Sequence, residues 1–266
     1  MVSRPLRRPR LAELVADELR NRILEGEVKD GEAFPKQEEL LEEFRVSKPA
    51  LREALAILEL EGLLSVRRGN VGGAVVRIPT ARDAAYMVGL VLQSQQVHLS
   101  DVGVALIQAE AMCAAQAAGR ADRKRAVLPR LRQLHQQAAA ALGDEPAFNV
   151  LARQFHEELV NASGNRTMIL NVGLLEALWA PTEHRRRLTS PVVDPAIQRA
   201  GLDAHQQIIT DIGAGDAEAV MRTVKHHAET RVEFVPGVEH QVVNASALRE
   251  WTPSSGPDEE GGRFAL

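Results

Sequence analysis

Apolar residues recur at helical spacing from Leu11 to Leu24, at Leu11, Leu14, Val15, Leu19 and Ile23, and predict an amphipathic helix. Gly26 and the Lys29-Asp30-Gly31 stretch end it. Pro35 then precedes a second short helix, Lys36 to Phe44, with Leu40, Leu41 and Phe44 on its apolar side. Arg45-Val46 reads as a tight turn. Ser47 is a natural N-cap, and Pro49 falls in the first turn of a third helix, where its missing N–H costs nothing. That helix runs to about Glu61, with Leu51, Ala54, Leu55 and Leu58 as its buried positions, and Gly62 stops it. The pattern then shortens. Leu63 to Arg68 and Ala74 to Pro79 are two strand-like segments around the glycine-rich turn Gly69-Asn70-Val71-Gly72-Gly73, a hairpin signature. Helix, helix, turn, helix and a two-stranded wing together describe a winged helix-turn-helix.

From Ala81 to Thr230 the chain reads as helix throughout. The segments are approximately 81–94, 100–119, 122–142, 146–162, 166–187, 195–213 and 216–234, with breaks at Gly143, Ser163-Gly164, Pro191, Pro195, Gly213 and Gly215. After Val235 the chain turns to Pro, Gly, Ser and acidic residues, which is expected to be a flexible tail. The fold class is therefore mainly α. The expected boundaries are 1–79 for the winged helix-turn-helix, 80–235 for an all-α helical bundle and 236–266 for the tail. The helix near 81–94 joins the two domains and is the expected lever between them.

Composition narrows the function. No stretch approaches the ~18 consecutive apolar residues of a membrane span, so an integral membrane protein is excluded. No apolar run follows the early arginines, so the expected location is the cytoplasm. The single cysteine, Cys113, excludes an intrachain disulfide and any multi-cysteine metal site. Aromatic residues are only 3% of the chain, too few for the base-stacking platforms of single-strand readers. Net charge is −4, so any nucleic-acid contact must be a local patch. Residues 1–79 hold fourteen basic and fourteen acidic residues, which leaves the deficit to the remainder. The bases cluster at Arg4, Arg7, Arg8 and Arg10, at Arg45, Lys48 and Arg52, and at Arg67, Arg68 and Arg77.

Residues 11–78 resemble the winged helix-turn-helix of GntR-type bacterial transcription regulators. The most specific text is Val46-Ser47-Lys48-Pro49-Ala50-Leu51-Arg52-Glu53-Ala54-Leu55, followed by Leu58-Glu59 and Glu61-Gly62-Leu63. The helical remainder is similar to the ligand-binding FCD domain of the FadR subgroup, through Phe155-His156, Ala162-Ser163-Gly164-Asn165, His205, Gly215-Asp216-Ala217-Glu218-Ala219 and His227. Such regulators bind double-stranded DNA as homodimers on short palindromic operators, usually as repressors, and answer to a small-molecule effector. A helix starting at Ser47 would enter the major groove by its N-terminal end. Lys48 and Arg52 stand four apart on one face, and either can donate to guanine O6 and N7. Lys36, Ser47, Arg67, Arg68 and Gly69 complete the expected DNA-binding set, with Arg68 on the wing reaching the minor groove or its phosphates. One departure stands at Glu38, where many relatives carry a basic residue. An acid there points to a different operator preference.

The candidate chemistry of the helical domain lies in His156, His205 and His227, each on a predicted helix. By itself a lone helical histidine is most often a core or surface residue. In many relatives an Asp one turn before the first His joins three His around a divalent metal such as Zn²⁺, which helps to hold a carboxylate effector. Here that position is Ala152, and Leu106 replaces an Arg one turn before the acid matched by Glu110. Three imidazoles still suffice for a metal with an open position. Two polar anchors replaced by apolar residues point to a bulkier, more hydrophobic carboxylate or acyl-type effector. His226, beside His227, is expected to face away. Two alternatives stay open: a DNA-binding protein whose helical domain only dimerises, and a His-metal hydrolase. No Ser or Cys nucleophile stands in a recognisable context, so the expectation is a regulator and no enzyme.

Overall fold

The computed structural model describes residues 10–67, 73–189, 195–233 and 237–250. The chain divides into two compact units, Met1–Asp83 and Ala84–Leu266.

The first unit holds α1 (Leu11–Leu24), α2 (Gln37–Phe44), α3 (Lys48–Leu60), β1 (Leu64–Arg67) and β2 (Gly73–Val76). Its core is the helical stripe read from the sequence: Val15, Leu19 and Ile23 of α1 meet Leu40 of α2, Leu51, Ala54, Leu55 and Leu58 of α3, and Leu63, Leu64 and Val76 of the wing. Each large side chain buried this way contributes about 1.5–3 kcal/mol. Ion pairs pin the helix ends. Arg20 donates to both carboxylate oxygens of Glu61 at 2.8 and 2.7 Å, which ties α1 to the end of α3. Arg22 pairs with Glu43 at 2.6 Å and lies 5.2 Å from the centre of the Phe44 ring. Between α2 and α3 the chain reverses at Arg45, whose φ of +50° is left-handed. The strands pair antiparallel, Leu64 with Val76 through Arg67 with Gly73. A third segment, not apparent in the hydrophobic pattern, braces this wing: Phe34 N donates to Ala74 O at 2.8 Å and Val76 N to Glu32 O at 2.9 Å.

The second unit is helical: α4 (Ala81–Ser94), α5 (Leu99–Gly119), α6 (Arg123–Ala126), α7 (Leu128–Ala140), α8 (Glu145–Asn161), α9 (Arg166–Thr189), α10 (Pro195–Ala214), α11 (Ala217–Glu233) and α12 (Ala245–Glu250), with a 3-10 turn at Val238–His240. α5 is the central helix and packs against α8, α9, α10 and α11. An 18-residue window of this 21-residue helix has a mean hydropathy of 1.2, so by length and composition alone it is apolar enough to cross a membrane, although it holds no unbroken apolar run of that length. Its buried face, with Ala111, Ala114, Ala117 and Ala118, meets Leu131 and Leu134 of α7, Phe155 and Leu159 of α8, Ile208 and Ile212 of α10 and Val224 of α11. The apolar character is that of a core helix.

Two expectations change here. The segment 122–142 is two helices, because the chain turns at Val127 and restarts with Pro129 in the first turn of α7, where a missing N–H is tolerated. The stretch after Val235 is not featureless either. Val238, Val243 and Leu248 are buried against Ala85, Leu99, Leu178 and Trp179. Residues 251–266 lie outside the described residues.

Candidate functional site

The DNA-reading candidates fall at the start of α3. Ser47 caps the helix, its Oγ accepting from Ala50 N at 3.4 Å. Lys48 is the first helical residue and Pro49 the second. Lys48 and Arg52 are both exposed, one turn apart, flanking the face that buries Leu51, Leu55 and Leu58. This is the arrangement a major-groove helix needs, with the apolar face locked in the core and the basic face clear of it. Lys36 is exposed at the N-cap of α2, and Glu38 is exposed in that helix's first turn. Arg10 pairs with Glu53 of α3 at 3.4 Å. Arg67 closes β1 opposite Gly73. Arg68 and Gly69 lie outside the described residues, as do Arg4, Arg7 and Arg8.

The second unit brings three distant histidines together. His156 is on α8, His205 on α10 and His227 on α11. Their candidate ligand nitrogens all lie within 4.8 Å of one another. His156 Nε2 is 3.1 Å from His205 Nε2 and 3.3 Å from His227 Nε2. Phe155, fully buried, stacks on the His205 ring at 4.0 Å with an interplanar angle of 9° and fixes its orientation. His226 is exposed and faces away.

Glu110 is not among the site residues expected from the sequence, yet it stands beside the cluster. His156 Nδ1 donates to Glu110 Oε1, and both side chains are buried. The signal was in the sequence: Glu110 is the only charged residue between Asp101 and Arg120, and an acid on an apolar helix must be paired to be buried. Its effect is chemical. With Nδ1–H held by the carboxylate, the neutral His156 ring turns its Nε2 lone pair toward the cluster.

The donor set fits a divalent metal. Tetrahedral bonds from Zn²⁺ to imidazole of about 2.0–2.1 Å place neighbouring nitrogens about 3.3–3.4 Å apart. The distances from His156 are of that size, and a carboxylate behind a ligating histidine is the usual outer support. Ala152, one turn before His156, packs with Phe148 and Leu202 and offers no fourth ligand.

A winged helix-turn-helix joined to an all-α unit with a histidine centre defines a DNA-binding regulator with a built-in sensor domain. Comparison with known proteins agrees. Residues 11–75 match the family described as "Bacterial regulatory proteins, gntR family", and residues 105–230 match the FCD domain. The chain thus carries a GntR-type winged helix followed by an FCD domain, the FadR-type arrangement. The families and relatives matched are transcription regulators, not enzymes. The HTH-type transcriptional repressor NanR of Enterobacter sp. (strain 638) is 41% identical over 78 residues, 29% of each chain. Its counterpart in Escherichia coli O1:K1 / APEC is 43% identical over 68 residues, 26% of each. The match thus spans little more than a quarter of these curated relatives. Among solved structures, Streptococcus agalactiae GntR superposes with a TM-score of 0.61 at 23% identity, covering 84% of this chain and 99% of that one, which establishes the shared fold.

Proposed function

We propose that the chain is a cytoplasmic transcription repressor. It binds a palindromic operator as a homodimer and is modulated by a small carboxylate or acyl-type effector at the histidine centre. The observation that carries this reading is the convergence of His156, His205 and His227 from three helices, with Glu110 behind His156, on the chain that also presents Lys48 and Arg52 from a capped helix. The naming of its relatives as repressors supports the direction of regulation.

In this reading Lys48 and Arg52 contact base edges. Lys36, Ser47, Arg67, Arg68 and Gly69 hold the phosphates and the wing in register. His156, His205 and His227 would hold a divalent ion such as Zn²⁺, which when bound supplies a Lewis-acidic position for an effector oxygen. Glu110 keeps the His156 proton on Nδ1, and Phe155 keeps the His205 ring in plane. Replacement of acid by Ala152 and base by Leu106 leaves an apolar lining that favours a hydrophobic tail on the effector. The effector shifts DNA affinity only by its differential affinity for the DNA-binding and non-binding arrangements of the dimer.

The test is selection of duplexes from a random library by the purified protein, with and without Zn²⁺ and a panel of carboxylates and acyl compounds. An enriched inverted repeat whose retention falls with one of these compounds is the expected result. Ala152 and Leu106 favour a second reading, in which the helical unit only dimerises. An enriched repeat, no bound metal and no response to any compound would select it. Failure to enrich any sequence would overturn both.

A further inference from the structure

The winged-helix unit uses some of its cations within the fold and leaves others without an acid. Arg10 pairs with Glu53, Arg20 with Asp17 and Glu61, Arg22 with Glu18 and Glu43, and Arg77 with Asp83. Lys36, Arg45, Lys48 and Arg52, which bracket α2 and open α3, form no ion pair among the described residues. Of these four, Arg45 has no role in the DNA contacts proposed above.

Arg45 is the C-cap of α2, with φ +50° and ψ +44°, and its N–H donates to Leu41 O at 3.0 Å. A left-handed conformation costs free energy in any residue with a Cβ, and glycine is its usual occupant at a helix end and in a helix-turn-helix turn. Its two neighbours face the protein. Phe44 and Val46 are both partly buried against the core of the unit, and the Arg22 guanidinium lies over the Phe44 ring. Arg45 between them is exposed, two residues before the Ser47 cap of the helix that carries Lys48 and Arg52. Glu42, one turn earlier on α2, is exposed and does not pair with it. The strained turn is a folding cost, and the side chain makes no hydrogen bond or ion pair among the described residues that would offset it.

We propose that Arg45 is a further DNA-contacting residue that grips a backbone phosphate, adding affinity for every sequence and discrimination to none. The contact presupposes that α3 is the DNA-reading helix. That helix would present its N-terminal residues to base edges, so a side chain two positions before its cap lies at the rim of the groove, where the phosphates are. A guanidinium on a long stem reaches such a phosphate and matches two of its oxygens. The phosphate contact offsets in the complex what the turn costs in the free protein. A cation at the end of α2 also complements that helix's dipole, a purely structural role that the experiment separates from this one.

The test titrates the full chain against two fluorescent duplexes, the one enriched in the selection above and a scrambled one of equal length, between about 50 and 200 mM KCl. Arg45→Gly removes the charge and relaxes the turn, whereas Arg45→Asn removes the charge from a residue that tolerates the left-handed region. Each should lower the salt slope by about 1 per bound protomer and weaken both duplexes about tenfold per protomer near 0.1 M salt. The ratio of the two affinities should stay as in the wild type. Arg45→Lys, which keeps the charge, should keep the wild-type slope. The urea midpoint of Arg45→Gly should equal or exceed that of the wild type, because relaxing the turn removes no packing. An unchanged slope in Arg45→Gly, a loss on one duplex alone, a lowered slope in Arg45→Lys or a lowered midpoint in Arg45→Gly would overturn the phosphate contact and leave the repressor reading intact. A wild type that retains neither duplex would overturn both.

Discussion

Glu110 costs the core its charge unless it is paired, and it is paired with the ring that must present a lone pair to the cluster. Glu110→Gln keeps the shape but can no longer enforce the Nδ1–H tautomer. Metal affinity is expected to fall about 10–100-fold, measured by competition with a chromogenic chelator, with far-UV circular dichroism unchanged. In the winged helix, Arg52 is exposed on the face of α3 proposed to read DNA. Arg52→Ala is expected to cost about 1–3 kcal/mol of discrimination at one base position and to leave thermal stability within about 0.5 kcal/mol. Competition gel shifts on operator variants check the first effect and calorimetry the second. His135 adds a pH dependence. Burial holds its pKa below the ordinary 6.5, with Asp203 opposing, and its Nδ1 has no hydrogen-bond partner among the described residues. Below pH 6.5 the unfolded chain takes up a proton that the folded chain refuses, so this stability is present above 6.5 and lost as pH falls toward the lowered value. His135→Gln should flatten the slope of urea-unfolding stability between pH 5 and 7.

At the scale of elements, short-range rules placed most boundaries. Ser47 and Pro49 start α3 and Gly62 ends it because capping and left-handed termination are chemical properties of single residues. The break at Val127 was hidden because Arg, Ala, Leu and Gln on both sides are strong helix formers and Pro129 is silent in a first turn. The folded stretch after Val235 was hidden because a run that is apolar only at Val238, Val243 and Leu248 shows no period, and its partners lie more than fifty residues upstream. Gly215 illustrates an element end whose role needs both views. Its φ is +80°, and a Cβ there would meet the Arg123 guanidinium at 2.6 Å. Arg123 Nε donates to Ile212 O at 3.0 Å and thereby caps α10. Gly215→Ala is expected to cost about 1–3 kcal/mol through backbone strain and a displaced cap. The Arg123→Ala background should remove the cap portion of that loss, as read from a double-mutant cycle.

Taken whole, the molecule is two units, each with buried hydrophobic clusters of its own, and the histidine centre lies in the helical one. Zn²⁺ at a hundred times its dissociation constant is expected to stabilise the helical unit by about 2.7 kcal/mol. It should leave the winged-helix unit unchanged, and EDTA should reverse the gain. Scanning calorimetry in which both transitions moved, or neither did, would count against a metal confined to the three histidines. The sequence by itself determined the winged helix and the helical nature of the remainder, because periodicity, capping and turn chemistry act over a few residues, whereas the three histidines stood out only through the resemblance to the FCD domain. Tertiary structure alone decided that nitrogens 49 and 71 positions away meet His156, that Glu110 stands behind it and that the chain after Val235 folds back on α4. Those facts depend on how α5, α8, α10 and α11 cross, which side-chain volume and buried charge settle only when the core closes.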